Sequence, residues 1–287
     1  FVIGVAATIL QVVLNLYLTV CRIGKTTALQ RQMIGGTSNS IGMAIAPLVI
    51  SYLIFHGTPL HDIVTKQFII PLIILILIML IITLLVGKTQ MPSIDNVRQA
   101  PGEKFDKSVW SFRNLKLGVW GIFFYVGIEV AVGANVNMYA SELGGSFASN
   151  ATHMAALYWG LLLLGRFLGS FIKQVPSEKQ LVIASIGAIV LLVLAMLTAN
   201  PWILTLIGFF HSIMWPAIFT LATDQLGKYT TKASGVLTMG VIGGGIIPLL
   251  QGIFADVMGG NWLWTWLLVI AGEAYILYYG LNGYKQH

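Results

Sequence analysis

The sequence of 287 residues predicts an all-α membrane protein with nine transmembrane helices, and three observations carry that reading. The first is composition. Hydrophobic residues make up 57% and charged residues 9% of the chain, where soluble domains have roughly 45–50% and 25%. That leaves too little polar surface to coat a water-soluble globule, and a mean hydropathy of +0.85 excludes a disordered chain. The second is segment length. A helix needs about 20 mostly apolar residues to cross a bilayer, and nine stretches meet that need, at roughly 1–21, 34–55, 68–87, 117–139, 153–172, 180–199, 201–221, 234–256 and 262–283. Barrel strands would instead alternate in runs of about ten residues.

The third observation is the placement of charge. Loops taken alternately put Arg22, Lys25, Arg31, Lys88, Arg98, Lys104, Lys107, Arg113, Lys116, Lys173, Lys179, Lys228, Lys232 and Lys285 on one face and only Lys66 on the other. Basic loops stay in the cytoplasm, so the first face is cytoplasmic. With an odd number of spans, Phe1 lies outside and His287 inside. The basic pI of about 9.4 therefore reports topology and not nucleic-acid binding.

In chain order, the first span begins at Phe1 with no basic residue before it, which argues against a cleavable signal peptide. The absence of an initiator Met reads as a fragment. The third and sixth spans hold long uncharged runs, Phe68–Gly87 and Leu181–Leu197, and suit lipid-facing helices. Trp262, Trp264 and Trp266 enter the ninth span as an interfacial aromatic belt would. Asn150-Ala-Thr152 on the outer face is a weak glycosylation sequon.

The chain also matches itself at an offset of 201 residues: Arg31 with Lys232, Ile41-Gly42 with Ile242-Gly243, Ile45 with Ile246, and Pro47-Leu48 with Pro248-Leu249. Six spans separate the copies, so the repeat unit is a six-helix half in parallel orientation, the layout of major facilitator transporters. On this scheme residues 1–87 are the last three helices of an N-terminal half, 88–115 is a cytoplasmic linker, and 116–287 is a complete C-terminal half. Nine of twelve helices are then present.

No GxxxxGK[ST], HExxH or GxSxG motif occurs, which speaks against ATP drive, zinc proteolysis and hydrolase chemistry. The single Cys21 excludes an internal disulfide and a cysteine-based zinc cluster. The five histidines are scattered, and interfacial or packed roles fit them better than metal ligation. Thr8, Gln11 and Asn15 form a polar stripe on the first span. It serves either helix–helix hydrogen bonds or ligand hydroxyls. Asn39 follows Gly35-Gly36, where small residues allow close packing. Glu129 sits mid-span with Gly133, Asn135 and Asn137 nearby, and a carboxylate at that depth costs about 2.5–3.5 kcal/mol, so it usually faces a cavity or relays protons. Glu273, among Ala271, Gly272 and Ala274, reads as part of a packed interface. Arg166, between glycines, could snorkel to the cytoplasm, form a gate, or simply pack. Trp215 precedes the helix-breaking Pro216. Its indole suits the apolar face of a sugar ring, or interhelical packing.

Four segments resemble the fucose/glucose–galactose permease branch of the major facilitator superfamily: Phe124-Tyr-Val-Gly-x-Glu-Val130, Tyr158-Trp-Gly160 with Gly165-Arg-Phe167, Pro216-x-Ile-Phe-x-Leu-Ala222, and Met239-Gly-Val-Ile-Gly-Gly-Gly-Ile-Ile-Pro248. The resemblance runs through nearly the whole chain, as helices four to twelve of twelve. It implies a secondary active transporter, not an enzyme, importing a hexose or deoxyhexose by alternating access. It also implies a co-transported proton, with sodium the alternative, and no further cofactor. Partners would be a small sugar and membrane lipid, with no nucleic acid, for a monomer in the inner (plasma) membrane. Fucose permeases use positions matching Gln11, Asn39 and Trp215 in the sugar cavity. Where they carry a buried glutamate this chain has Gln11, which cannot titrate, and where they carry a tyrosine it has Trp215. The expected sugar-binding set is Gln11, Asn15, Asn39, Glu129, Asn135, Asn137 and Trp215, with Glu129 a proton-coupling candidate and Arg166 a gate candidate. An exporter of amphipathic molecules on the same fold and a non-transporting sensor are the rival classes.

Overall fold

In a computed structural model, residues 2–21, 24–48, 65–90, 94 and 105–286 are described, and among them the regular structure is entirely helical. Eleven α-helices run in chain order: α1 Val2–Val20, α2 Ala28–Leu48, α3 Ile69–Lys88, α4 Arg113–Leu143, α5 Gly145–Ser149, α6 Ala151–Gly169, α7 Ser177–Thr198, α8 Pro201–Thr223, α9 Thr230–Thr238, α10 Gly243–Val257 and α11 Trp266–Tyr278. Each of the nine expected spans coincides with helix over most of its described residues. Six segments among the described residues are long and apolar enough to cross a membrane: α1, α3, α4, α7, α8 and the α9–α10 stretch from Gly227 to Val257. Of the other three expected spans, α2 and α6 carry more polar side chains and α11 is shorter.

Local chemistry explains where the boundaries depart from expectation. The second span was expected from residue 34, but α2 begins at Ala28. Thr27 Oγ1 accepts from the Gln30 N–H, and Gln30 Oε1 accepts from the Thr27 N–H, both at 3.1 Å. This reciprocal capping box starts the helix two turns before the apolar run; residues 49–64, where that span was expected to end, lie outside the described set. At the other end of the loop, the buried Arg31 donates to the carbonyls of Leu18, Thr19 and Thr26 at 2.7 Å each. A guanidinium on the last carbonyls of α1 satisfies groups that have no helical partner and suits the negative helix end.

The eighth span is broken. α9 passes through a 3₁₀ turn at Met239–Ile242 before α10 begins at Gly243. Gly243 is required by close approach: a Cβ there would lie on the backbone of Phe123 in α4. The ninth span closes in a π-turn at Tyr279–Gly283. The aromatic belt expected at its start is only partly found. Trp264 is exposed, but Trp266 is fully buried, edge-on to Tyr139 at 5.9 Å. Two residues along a helix rotate the side chain by about 200°, which places those two indoles on different faces.

The chain divides into two compact units, residues 1–38 with 94–287, and residues 39–93. In the first, α8 is the centre, packed against α4, α6 and α7, and a helix covered on most sides is apolar on most sides. α10 and α11 pack on α4, and α1 packs on α9, where Ser234 Oγ donates to the Val12 carbonyl at 3.1 Å. Because lipid is as apolar as leucine, helices here associate through close fit more than through burial, and glycines set that fit. A Cβ at Gly208 of α8 would stand 2.3 Å from the Tyr158 carbonyl oxygen of α6, and one at Gly272 of α11 would stand 2.6 Å from Ile128 of α4. α7 presents Leu181, Ala184, Ala188 and Leu192 inward and keeps Ile183, Ile186 and Val190 outside, as a peripheral helix should. In the second unit, α3 follows a 3₁₀ turn at Thr65–Phe68 and has no buried residue.

Candidate functional site

Glu129 lies near the middle of the 31-residue α4. Its Oε1 accepts from the Tyr125 hydroxyl, one turn earlier on the same helix, at 2.8 Å and from Arg166 Nη2 of α6 at 3.2 Å. The carboxylate and guanidinium side chains are 13% and 11% exposed, so the pair is nearly but not wholly closed off. Arg166 therefore reaches toward Glu129 near the middle of α4 and not toward the nearer end of α6. Gly36 of α2 makes room for it, since a Cβ there would meet Arg166 Cδ at 3.2 Å. Trp215 of α8 is partly buried, stacked on Phe219 at 6.2 Å and tilted against Tyr125 at 6.5 Å, so its indole is a neighbour of the group that holds Glu129.

A second polar cluster lies directly beside the first. The Tyr158 hydroxyl is 3.1 Å from the Glu129 carbonyl oxygen and 2.6 Å from His211 Nδ1, and His211 Nε2 is 2.6 Å from Glu273 Oε1. All three side chains are fully buried. The composition-based reading set His211 and Glu273 aside as packed residues. They are packed, but against each other. The usable signal was the depth of both groups: an ionisable side chain in mid-membrane demands a partner, and two on different spans are each other's most economical one.

The other sequence candidates are dispersed. Asn135 Nδ2 donates to Gln251 Oε1 at 2.9 Å, and Gln251 Nε2 donates to Thr265 Oγ1 at 3.1 Å, a ladder from α4 through α10 to the turn before α11. Asn137 is half-buried, its Oδ1 without a hydrogen-bond partner among the described residues. On α1, Thr8 bonds back to the Gly4 carbonyl and Gln11 is exposed. Asn15 is buried, its carbonyl taking the Gln32 amide at 2.8 Å. Asn39 is exposed and belongs to the second compact unit. Glu129, Arg166 and Trp215 are thus brought together, and Asn135 is occupied elsewhere. Asn135→Ala should lower thermal stability by about 1–3 kcal/mol, because Gln251 Oε1 is left buried and unpaired. Ligand affinity should stay unchanged. A variant with native melting and weakened ligand binding would return Asn135 to the binding set. Of the histidines outside this cluster, His153 is exposed, and His56, His61 and His287 lie outside the described residues. Among the described residues no group of three or more His, Cys, Asp or Glu is placed to hold a metal ion.

A family model for the Major Facilitator Superfamily matches residues 30–241, most of the chain. The chain belongs to that superfamily. This facilitator is 34% identical to the glucose/galactose transporter of Brucella abortus over all of its own length and 71% of the relative's. It is 28% identical to the L-fucose-proton symporter of Escherichia coli over 66% of this chain and 45% of that one. The outward-conformation crystal structure of FucP superposes with a TM-score of 0.80 at 23% identity, covering 96% of this facilitator and 72% of FucP, a likeness that shows the fold. It is a multi-pass membrane protein of all-helical facilitator fold, and not an enzyme.

Proposed function

We infer that this facilitator carries a hexose or deoxyhexose across the plasma membrane by alternating access, with a proton as the co-transported ion. The observation that carries the reading is the similarity along the whole chain to a glucose/galactose transporter; the similarity to a proton symporter supports the choice of ion. The chemistry of the site agrees with it. A nearly closed carboxylate–guanidinium pair offers both acceptors and donors to sugar hydroxyls, and each such charge-assisted bond is roughly twice as strong as a neutral one. The adjoining Trp215 supplies an aromatic face for the apolar side of a pyranose. In this reading residues 116–287 are one six-helix half, 1–87 belong to the other, and 88–115 link them, with Gln11 contributing a sugar contact from the N-terminal side.

The test is uptake of radiolabelled glucose, galactose, fucose and mannose into vesicles holding the purified protein. At least one of the four should accumulate when the outside is made acidic, and a sodium gradient alone should have no effect. Failure to move any of the four in either direction would reject sugar transport, and accumulation that follows sodium would reject the proton.

A further inference from the structure

The Tyr158–His211–Glu273 cluster has no place in the sugar site, yet it is the most deeply buried set of ionisable groups among the described residues. The structure assigns these three residues to a proton-binding site, built by α6, α8 and α11 next to the Glu129–Arg166 pair. Its ligand is a single proton.

The geometry allows two complete hydrogen-bond patterns that differ by that proton. In the first, neutral His211 carries its hydrogen on Nε2 and donates it to the Glu273 carboxylate at 2.6 Å, while Nδ1 accepts the Tyr158 hydroxyl at 2.6 Å. The cluster then has a charge of minus one. In the second, a proton taken from the aqueous phase forms a new N–H bond at Nδ1, which now donates to Tyr158 Oη. The Tyr158 hydroxyl hydrogen turns to the Glu129 carbonyl oxygen, 3.1 Å away. No other covalent bond forms or breaks, and the cluster becomes neutral. Every donor has an acceptor in both states, because the hydroxyl can serve either way.

Two observations separate this from a static ion pair. A buried pair that only stabilises needs its remaining lone pairs satisfied, but Glu273 Oε2 is buried with no hydrogen-bond partner among the described residues. A lone carboxylate in that position is costly, and one bound proton removes the net charge. Second, the group that changes partner ends on the backbone of Glu129, whose carboxylate holds Arg166. Protonation at His211 is therefore transmitted to the residue that faces the sugar. The ionisable groups facing His211 are Tyr158 from α6, Tyr125 from α4 with ring centroids 6.1 Å apart, and Glu273 from α11. Glu129 and Arg166 stand behind them. α7 carries ionisable residues only in its first turn, Glu178 and Lys179, and Lys232 of α9 is exposed.

The role in coupling rests on the transport reading above; the proton site itself does not, and the two are tested apart. Nitrogen NMR of the full chain labelled at histidine, titrated in liposomes, should show one buried histidine passing from the neutral to the doubly protonated form. That signal should vanish in His211→Gln, and its protonated form should be lost in Tyr158→Phe, where the added N–H has no acceptor. A His211 resonance in one form throughout the titration would overturn the site, and the wild-type spectrum decides this even if a variant does not fold. In vesicles, His211→Gln and Glu273→Gln should bring the accumulation ratio under a pH gradient down to one. Wild-type accumulation in either variant would overturn the coupling role. A protein that moves no sugar but titrates at His211 would reject the transport reading and keep the site.

Discussion

Replacing Glu129 by Gln should destabilise the protein by about 3 kcal/mol or more, the usual result of removing one partner from a buried ion pair. The reason is the charge left behind. Arg166 is 11% exposed, and its guanidinium would lose the carboxylate that neutralises it at 3.2 Å. The Tyr125 hydroxyl, which donates to the same oxygen at 2.8 Å, would keep an acceptor in the amide oxygen, so the loss is one of charge more than of hydrogen bonding. Removing Arg166 as well, as Glu129→Gln with Arg166→Met, should restore most of the stability because neither charge remains. Sugar transport should stay abolished in the pair variant if the two groups bind hydroxyls. Melting of the purified variants in detergent, beside vesicle uptake, reads both effects. A single variant that melts like the wild type and accumulates sugar normally would leave the pair with no role. One that exchanges sugar but cannot concentrate it would move the proton from His211 to Glu129.

Gly208→Ala should be the most damaging of the small substitutions. Helix propensity alone favours alanine over glycine by about 1 kcal/mol, so the sign is decided by space. At Gly208 the added Cβ would stand 2.3 Å from the Tyr158 carbonyl oxygen, which is backbone and cannot turn aside. α6 and α8 must separate, and overpacking of this kind costs about 1–3 kcal/mol. The separation also pulls the Tyr158 hydroxyl from His211 Nδ1, a contact of 2.6 Å. Gly160→Ala is the matched control on α6, with nothing within 4 Å of the new Cβ, and it should be neutral or slightly stabilising. Melting temperatures of the two variants give the comparison. Equal stability would mean that the α6–α8 contact is not set by Gly208.

How much of this was legible beforehand differs from residue to residue. Glu129 announced itself because a carboxylate in an apolar run is expensive and therefore has a reason to be there. Its partner did not. Arg166 sits near the C-terminal end of its span, where a long basic side chain can turn either way, and only the space left by Gly36 and the position of Glu129 turn it inward. Asn135 was expected in the sugar-binding set, and its partner Gln251 was not singled out. Their bond joins residues 116 positions apart, and nothing local encodes it.

The amino-acid sequence by itself determined that the chain is an all-helical membrane protein and approximately where its spans lie. Those features depend on segment length, hydropathy and charge, which are sums over neighbouring residues. It also carried the family, through motifs each contained within a single span. Which polar groups meet was decided only by the tertiary structure. A helix shows a different face every residue, so a mid-span His211 or Glu273 can point in any direction until α6, α8 and α11 are packed. The glycines that fix that packing, Gly208 and Gly272 among them, act through distances to other helices. The separation of the Glu129–Arg166 pair from the buried Tyr158–His211–Glu273 cluster is a property of those distances.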